Sequence, residues 1–519
     1  MSETMILMEN ITKIYPNGFV ANKDITLEVK KGEIHGLVGE NGAGKTTLMK
    51  ILFGIQNQEE GKIYIKGEEV KIKDPLHAIA LGVGMVHQHF MLVPSLTVAE
   101  NIILGIEPKK GVKIDLKKAI EMTREASKKY NLEVDPTAIV SELPVGQKQK
   151  VEILKALIRG ADVLILDEPT AVLTPQETEE LFVELKKLKE DGYTMLFISH
   201  KLNELKELCD RITVLRNGKL IGVRNISDVS EADISRMMVG RDVELTVQKE
   251  EAKPKKVVLH LQDVNLKNRE GKQVLQDINF TIRQGEVIGV VGVEGNGQKE
   301  LSEVITGLNN KYTGSVFVDG NSTTGKTIRA IRELGVAHIS EDRMSVGAAV
   351  NASVKDNLLS DRYYKKQYSK GLLKENSIKE MSDQLIKDYL IKCDDYNQPV
   401  RMLSGGNIQK VVVAREFSAG AKVIVANQPT RGVDVGAIEF IHRKLIEISR
   451  TEDVGVLLVS ADLNEALALS DRIIVMCEGK IVAYFDDTSQ IDEYDIGEYM
   501  LGIKKQTEEE LRRAVYEYK

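Results

Sequence analysis

DITLEVKKGEIHGLVGENGAGKTTLMKILFG, residues 24–54, reads as an apolar strand (EIHGLVG) running into a glycine-rich loop and then a helix. Within it, Gly39-Glu-Asn-Gly-Ala-Gly44-Lys45-Thr46 fits the phosphate-loop pattern GxxxxGK[ST], which requires that strand before it and that helix after it. The glycines let backbone N–H groups turn inward at a helix N-terminus, where an anion is favoured. Lys45 then supplies a point charge for β- and γ-phosphates, and the Thr46 hydroxyl a ligand for Mg²⁺.

Further along, Val163-Leu-Ile-Leu-Asp167-Glu168 is a continuous aliphatic run ending in two carboxylates. Continuous rather than alternating apolar residues predict a buried parallel strand, and TMLFIS (194–199) predicts another. In such sheets ligands bind at the carboxyl ends of the strands. Asp167 is therefore placed for the magnesium shell and Glu168 for polarising a water. A helix-rich stretch, roughly 90–160, interrupts the pattern and gives an α/β fold with a helical insertion.

The chain is a duplication. Residues 8–44 and 261–297 align without a gap, and LCDRITVLRNGKLIG (208–222) matches LSDRIIVMCEGKIVA (469–483). At 519 residues the chain exceeds what one hydrophobic core ordinarily serves, so two domains of similar size are expected. The boundary falls near 243–257 (VELTVQKEEAKPKKV), charged and without apolar periodicity. We expect a first domain over 1–245, a linker over 246–256, a second domain over 257–505, and a charged, solvated C-terminal helix over 506–519. A net charge of −7 gives no bulk attraction for nucleic acid. Three scattered cysteines (Cys209, Cys393, Cys477) fit a reducing compartment and no zinc site. There is no secretory signal pattern at the start. No run approaches ~18 uninterrupted apolar residues, so no direct bilayer insertion is expected.

The order phosphate loop, Gln88 (in MVHQHF), Leu143-Pro-Val-Gly-Gln147, Asp167-Glu168, His200 (in FISH) resembles the nucleotide-binding domain of ABC transporters. The resemblance implies two tandem P-loop domains, each a RecA-like core with an antiparallel β subdomain and a helical subdomain. It implies that ATP is held by Gly39, Asn41, Gly42, Gly44, Lys45, Thr46 and Thr47, with Tyr15 stacked on adenine. Mg²⁺ would be held by Thr46, Gln88 and Asp167, and catalysis would fall to Glu168, His200 and Gln88. Gln88 would also touch the coupling helix of a membrane subunit. Taken alone, Tyr15 could equally be a core aromatic.

The second half keeps the pattern and loses the chemistry. Gln298 and Lys299 stand at the places of Lys45 and Thr46, and Asn427-Gln428 at those of Asp167-Glu168. Glu341 replaces Gln88, Ala461 replaces His200 and Asn268 replaces Tyr15. An amide neither takes a proton from water nor binds Mg²⁺ well, so this half is expected to be non-hydrolytic. The signature loops are opposite in quality. Ser404-Gly405-Gly406-Asn407 and a D-loop ending in Asp434 are intact, whereas the first half has Pro144, Val145 and Thr174. In the family ATP lies between the Walker motifs of one domain and the signature loop of the other. The defects thus segregate onto one of two composite sites, the two domains pairing within one chain.

Two fused domains with this asymmetry, and PTRGVDVGA (429–437), resemble the monosaccharide-importer ATPase group; GMVHQHFMLVPSLTVAENIILG (84–105) and GVEGNGQKEL (292–301) are most similar to its purine-nucleoside branch. The resemblance implies an ATPase at the cytoplasmic face of a bacterial membrane, working with two integral-membrane permeases and an extracellular substrate-binding lipoprotein, without nucleic acid. A ribose/galactose-type sugar importer is the alternative, and a soluble ribosome-acting tandem ATPase a remote one.

Overall fold

The structure, a computed structural model, describes residues 3–515 except 17, 41, 88–89, 112, 172, 200, 242–248 and 489–490. The chain divides into two compact units, Met1–Val243 and Glu244–Lys519. Each is described by itself.

In the first unit a six-stranded sheet runs in the order Lys219–Asn225, Arg211–Arg216, Ile34–Gly39, Thr194–Ile198, Val163–Asp167, Val83–Val86. All neighbours are parallel except the first pair. Ile34–Gly39 and Thr194–Ile198 are buried along their whole length, as expected of strands covered on both faces. A separate four-stranded antiparallel sheet (Val20–Lys30, Thr4–Ile14, Glu60–Ile65, Glu68–Val70) packs its inner side chains, among them Ile6, Met8, Ile25 and Leu27, into the same core as Leu48 and Leu52. The insertion between Val86 and Val163 supplies the helices Val98–Ile103, Leu116–Lys129 and Val145–Ile158.

The second unit repeats this order strand for strand. Its six-stranded sheet is Val336–Ile339, Val423–Asn427, Gly455–Val459, Val287–Val291, Arg472–Cys477, Lys480–Phe485. The register repeats too: Asp167 pairs with Ile198, and Asn427 with Val459. Two RecA-like layers, each with a β subdomain and a helical subdomain, follow directly from the duplicated sequence pattern.

The connecting residues 249–256 pack on the second unit: Lys249 Nζ donates to the Ser470 carbonyl at 2.6 Å, and Arg450 Nε to the Glu250 carbonyl at 3.1 Å. The tail departs from a solvated helix. Among the described residues it is helical over Glu508–Leu511, followed by a tight turn at Arg512–Ala514. Ala514 is buried in the second unit's core because its neighbours lie along the Gln273–Arg283 strand, where Thr281 Oγ1 donates to the Ala514 carbonyl at 3.4 Å. Among the described residues no helix is long and apolar enough to cross a membrane.

Candidate active site

The Ile34–Gly39 strand ends where the loop must turn sharply. A Cβ on Gly39 would stand 2.3 Å from the Leu215 carbonyl oxygen, so no side chain fits there. Gly42 and Gly44 adopt φ of 83° and 99°, in the region that favours glycine. Gly44 caps the Lys45–Leu52 helix without any side-chain hydrogen bond to its first turn. The first N–H groups of a helix are unsatisfied by the helix itself and face an incoming anion.

Lys45 is buried, and its ammonium donates to the carbonyls of Gly39 at 2.5 Å and Glu40 at 3.1 Å. Burial lowers its pKa, while the charges of Glu168, Asp167 and Glu40 pull it back up. Burial and the adjacent Glu168 push the Asp167 carboxyl up to about 6, against the pull of Lys45 and Lys50. Lys45, Asp167 and Glu168 therefore form one electrostatic cluster at the ends of two neighbouring elements. Two close carboxylates of which one is reluctant to ionise are relieved by a divalent cation. That donor set fits Mg²⁺, with Thr46 exposed one residue beyond Lys45.

Glu168 has φ 47°, and its N–H donates to the Ile198 carbonyl at 2.9 Å. A non-glycine residue in that conformation costs roughly 1 kcal/mol. Gln428 adopts the same turn, with φ 48° and its N–H on the Val459 carbonyl at 2.8 Å. Here the side chain is spent internally, since Gln428 Oε1 accepts the Ala461 N–H at 3.2 Å. Gln298 is likewise a neutral copy of Lys45: its Nε2 donates to the Val293 carbonyl at 3.2 Å, the counterpart of the Glu40 carbonyl. Lys299 is exposed on the helix and does not fill Lys45's place.

Tyr15 sits at the mouth of the loop. Its hydroxyl donates to Gln56 Oε1 at 3.0 Å and lies 3.3 Å from Thr47 Oγ1. Its ring is stacked with Phe19, with centroids 6.4 Å apart and planes at 24°. Phe19, exposed, had no sequence signal beyond being aromatic. Asn268 in the second unit instead caps a turn, accepting the N–H groups of Glu270 and Lys272.

The intact signature loop is also pre-formed. Ser404 caps the Gly405–Phe417 helix and its Oγ accepts Asn407 Nδ2 at 2.9 Å. Asp434 caps the Val435–Thr451 helix, and a Cβ on Gly406 would meet its Oδ2 at 2.4 Å, so the loop and the D-loop are interlocked. In the first unit Pro144 offers no side-chain cap. There Glu177, unremarked in the sequence, fills the gap. Its carboxylate accepts the Gly146 N–H at 3.2 Å and the Thr174 N–H at 3.0 Å. The run Thr174-Pro-Gln-Glu177 is a legible capping box; its reach to Gly146 is tertiary. Gln88, Asn41 and His200 lie outside the described residues.

The family description "ABC transporter" matches residues 22–171 and again 275–431. The chain belongs to the ABC transporter family. It carries two ABC cassettes, and the cassettes bind ATP and make the chain a transport ATPase. The guanosine import ATP-binding protein NupO of Bacillus subtilis (strain 168) is 44% identical, covering 96% of this chain and 98% of its own length. The nucleoside import ATP-binding protein NupA of Lactococcus lactis subsp. cremoris (strain MG1363) is 45% identical, over 92% and 95%. The glucose import ATP-binding protein TsgD13 of Haloferax volcanii is 43% identical, over 96% of each chain. These ABC relatives match end to end, so both units of the chain are part of the likeness.

Proposed function

We propose that this chain is the ATP-hydrolysing subunit of a nucleoside importer in which one composite site turns over and the other does not. One observation carries the reading: at matched turns the first unit presents Lys45, Asp167 and Glu168, and the second presents Gln298, Asn427 and Gln428, with the Gln298 and Gln428 amides committed internally. Loop N–H groups and Lys45 bind the phosphates, and the Tyr15 ring carries the adenine. Thr46, Asp167 and Gln88 would hold Mg²⁺, which when bound neutralises phosphate charge. Glu168 orients a water and takes its proton as the water oxygen bonds the γ-phosphorus. The bond to the bridging oxygen breaks, releasing ADP and phosphate. His200 donates to the γ-phosphate. Ser404, Gly405, Gly406, Asn407 and Asp434 close the same nucleotide from the second unit, while the second site would meet Pro144 and Val145.

Two integral-membrane permeases and an extracellular substrate-binding lipoprotein are the partners, and the chain works at the cytoplasmic face of the membrane. NupO and NupA support a nucleoside cargo. TsgD13, at nearly the same identity, supports a sugar as the second reading. Binding of guanosine and of glucose by the lipoprotein that co-purifies with the complex separates them; co-purification with ribosomes in place of permeases would reject both.

The catalytic asymmetry is tested on the full chain. Glu168→Gln is expected to lower ATP turnover by about 10²–10³-fold, as loss of one preorganised polar group typically does. Gln298→Ala is expected to change it only a few-fold. Equal losses would reject the reading.

A further inference from the structure

Arg343 and Arg431 brace three segments of the second unit against one another. Arg343 donates Nη2 to the Gly432 carbonyl at 2.7 Å and Nη1 to the Arg431 carbonyl. Arg431 in turn forms an ion pair with Glu341. The Arg343 Nη2 lies 3.0 Å from where a Cβ on Gly405 would stand and 3.3 Å from one on Gly432. One planar fork thus fills the space between the signature loop, the turn that follows Gln428, and the segment 341–347. Arg415, on the signature helix, adds a second tie, donating Nη2 to the Gly347 carbonyl at 2.8 Å. The first unit has neither arginine at the matching positions: Phe90 follows Gln88-His89 where Arg343 follows Glu341-Asp342, and Ala171 follows Pro169-Thr170 where Arg431 follows Pro429-Thr430.

We infer that this brace is a positioning device, carrying any displacement of the intact signature loop to the segment 341–347. The inference rests on the composite-site reading above, in which a triphosphate seats against Ser404–Gly406. A guanidinium bonded to two consecutive carbonyls fixes orientation as well as distance, which a point charge does not. Close-packed elements transmit small shifts instead of absorbing them. Gly405 and Gly432 leave the guanidinium in direct contact with backbone, so slack is small.

The test is hydrogen–deuterium exchange on the full chain carrying Glu168→Gln, with and without MgATP. The brace predicts that exchange slows about threefold or more both at 403–407 and at 341–350. Adding Arg343→Ala is expected to leave the slowing at 403–407 and abolish it at 341–350. Arg343→Lys, which keeps charge and bulk but has no fork, is expected to behave as Ala does. Slowing at 341–350 that survives both substitutions, or is absent from the parent, overturns the inference alone. No slowing at 403–407 in the parent overturns the composite site beneath it.

Discussion

The Glu177 carboxylate accepts the backbone N–H of Gly146 at 3.2 Å, and in doing so stands in for the D-loop aspartate that the first unit lacks. In the second unit the matching glycine, Gly406, lies against the Asp434 carboxylate instead. Position 174 holds threonine and position 434 aspartate, yet both units end with a carboxylate against the second signature glycine. The acid has moved one helical turn.

Glu177→Ala leaves a buried N–H unsatisfied and removes half of a capping box. We expect a cost of ~1–2 kcal/mol, a fall of roughly 2–8 °C in the first unit's melting transition. Adding Thr174→Asp puts the acid where Asp434 sits and should recover most of the loss. Differential scanning calorimetry decides it: no recovery in the double variant means Glu177 acts otherwise.

The phosphate loop tolerates change unevenly. A Cβ at Gly44 would stand 2.3 Å from Asn22 Nδ2 and 2.5 Å from the Ala21 carbonyl, whereas one at Gly42 meets nothing within 4 Å. Both have positive φ. Gly42→Ala should therefore cost ~1 kcal/mol of stability from backbone strain alone, and Gly44→Ala about 3 kcal/mol or more from strain and overlap together. Equal denaturation midpoints for the two variants would contradict this.

Restoring acids to the second unit should not create a second hydrolytic site. With Asn427→Asp and Gln428→Glu in place, Gln298 still brings no charge and Lys299 still faces solvent. Steady-state phosphate release per chain is expected to stay close to the parent value. A near doubling would show that the two carboxylates are sufficient.

His338, whose neighbours are Glu416, Arg332 and Arg415, is driven by burial from 6.5 to a pKa of about 4. The Glu416 carboxylate that faces it is already occupied, accepting Arg332 Nη2 at 2.9 Å, Arg415 Nε at 2.8 Å and the His338 N–H at 3.1 Å. A histidine depressed in the folded state contributes stability that is complete above its unfolded pKa and is lost as pH falls through the folded one. Between pH 6.5 and about 4.5, before most carboxylates titrate, the second unit should lose on the order of 2 kcal/mol. His338→Asn should flatten the urea-denaturation midpoint over that window; an unchanged slope would rule this histidine out as the source.

The fold was legible in residue order alone, and so was the set of residues proposed for the site. Aliphatic runs ending in turns specify buried parallel strands, GENGAGKT specifies an anion loop at a helix start, and the 253-residue repeat specifies two such units. Those features are local in the chain, and local periodicity and turn chemistry are what residue order encodes directly. The tertiary structure decided how side chains are spent. Glu177 reaching Gly146, Gln428 committed to Ala461, Arg343 wedged between Gly405 and Gly432, and Ala514 tucked into the core all join residues far apart in the chain. Each depends on which backbone donors and carbonyls the packed elements leave unsatisfied, and that is settled only when the elements meet.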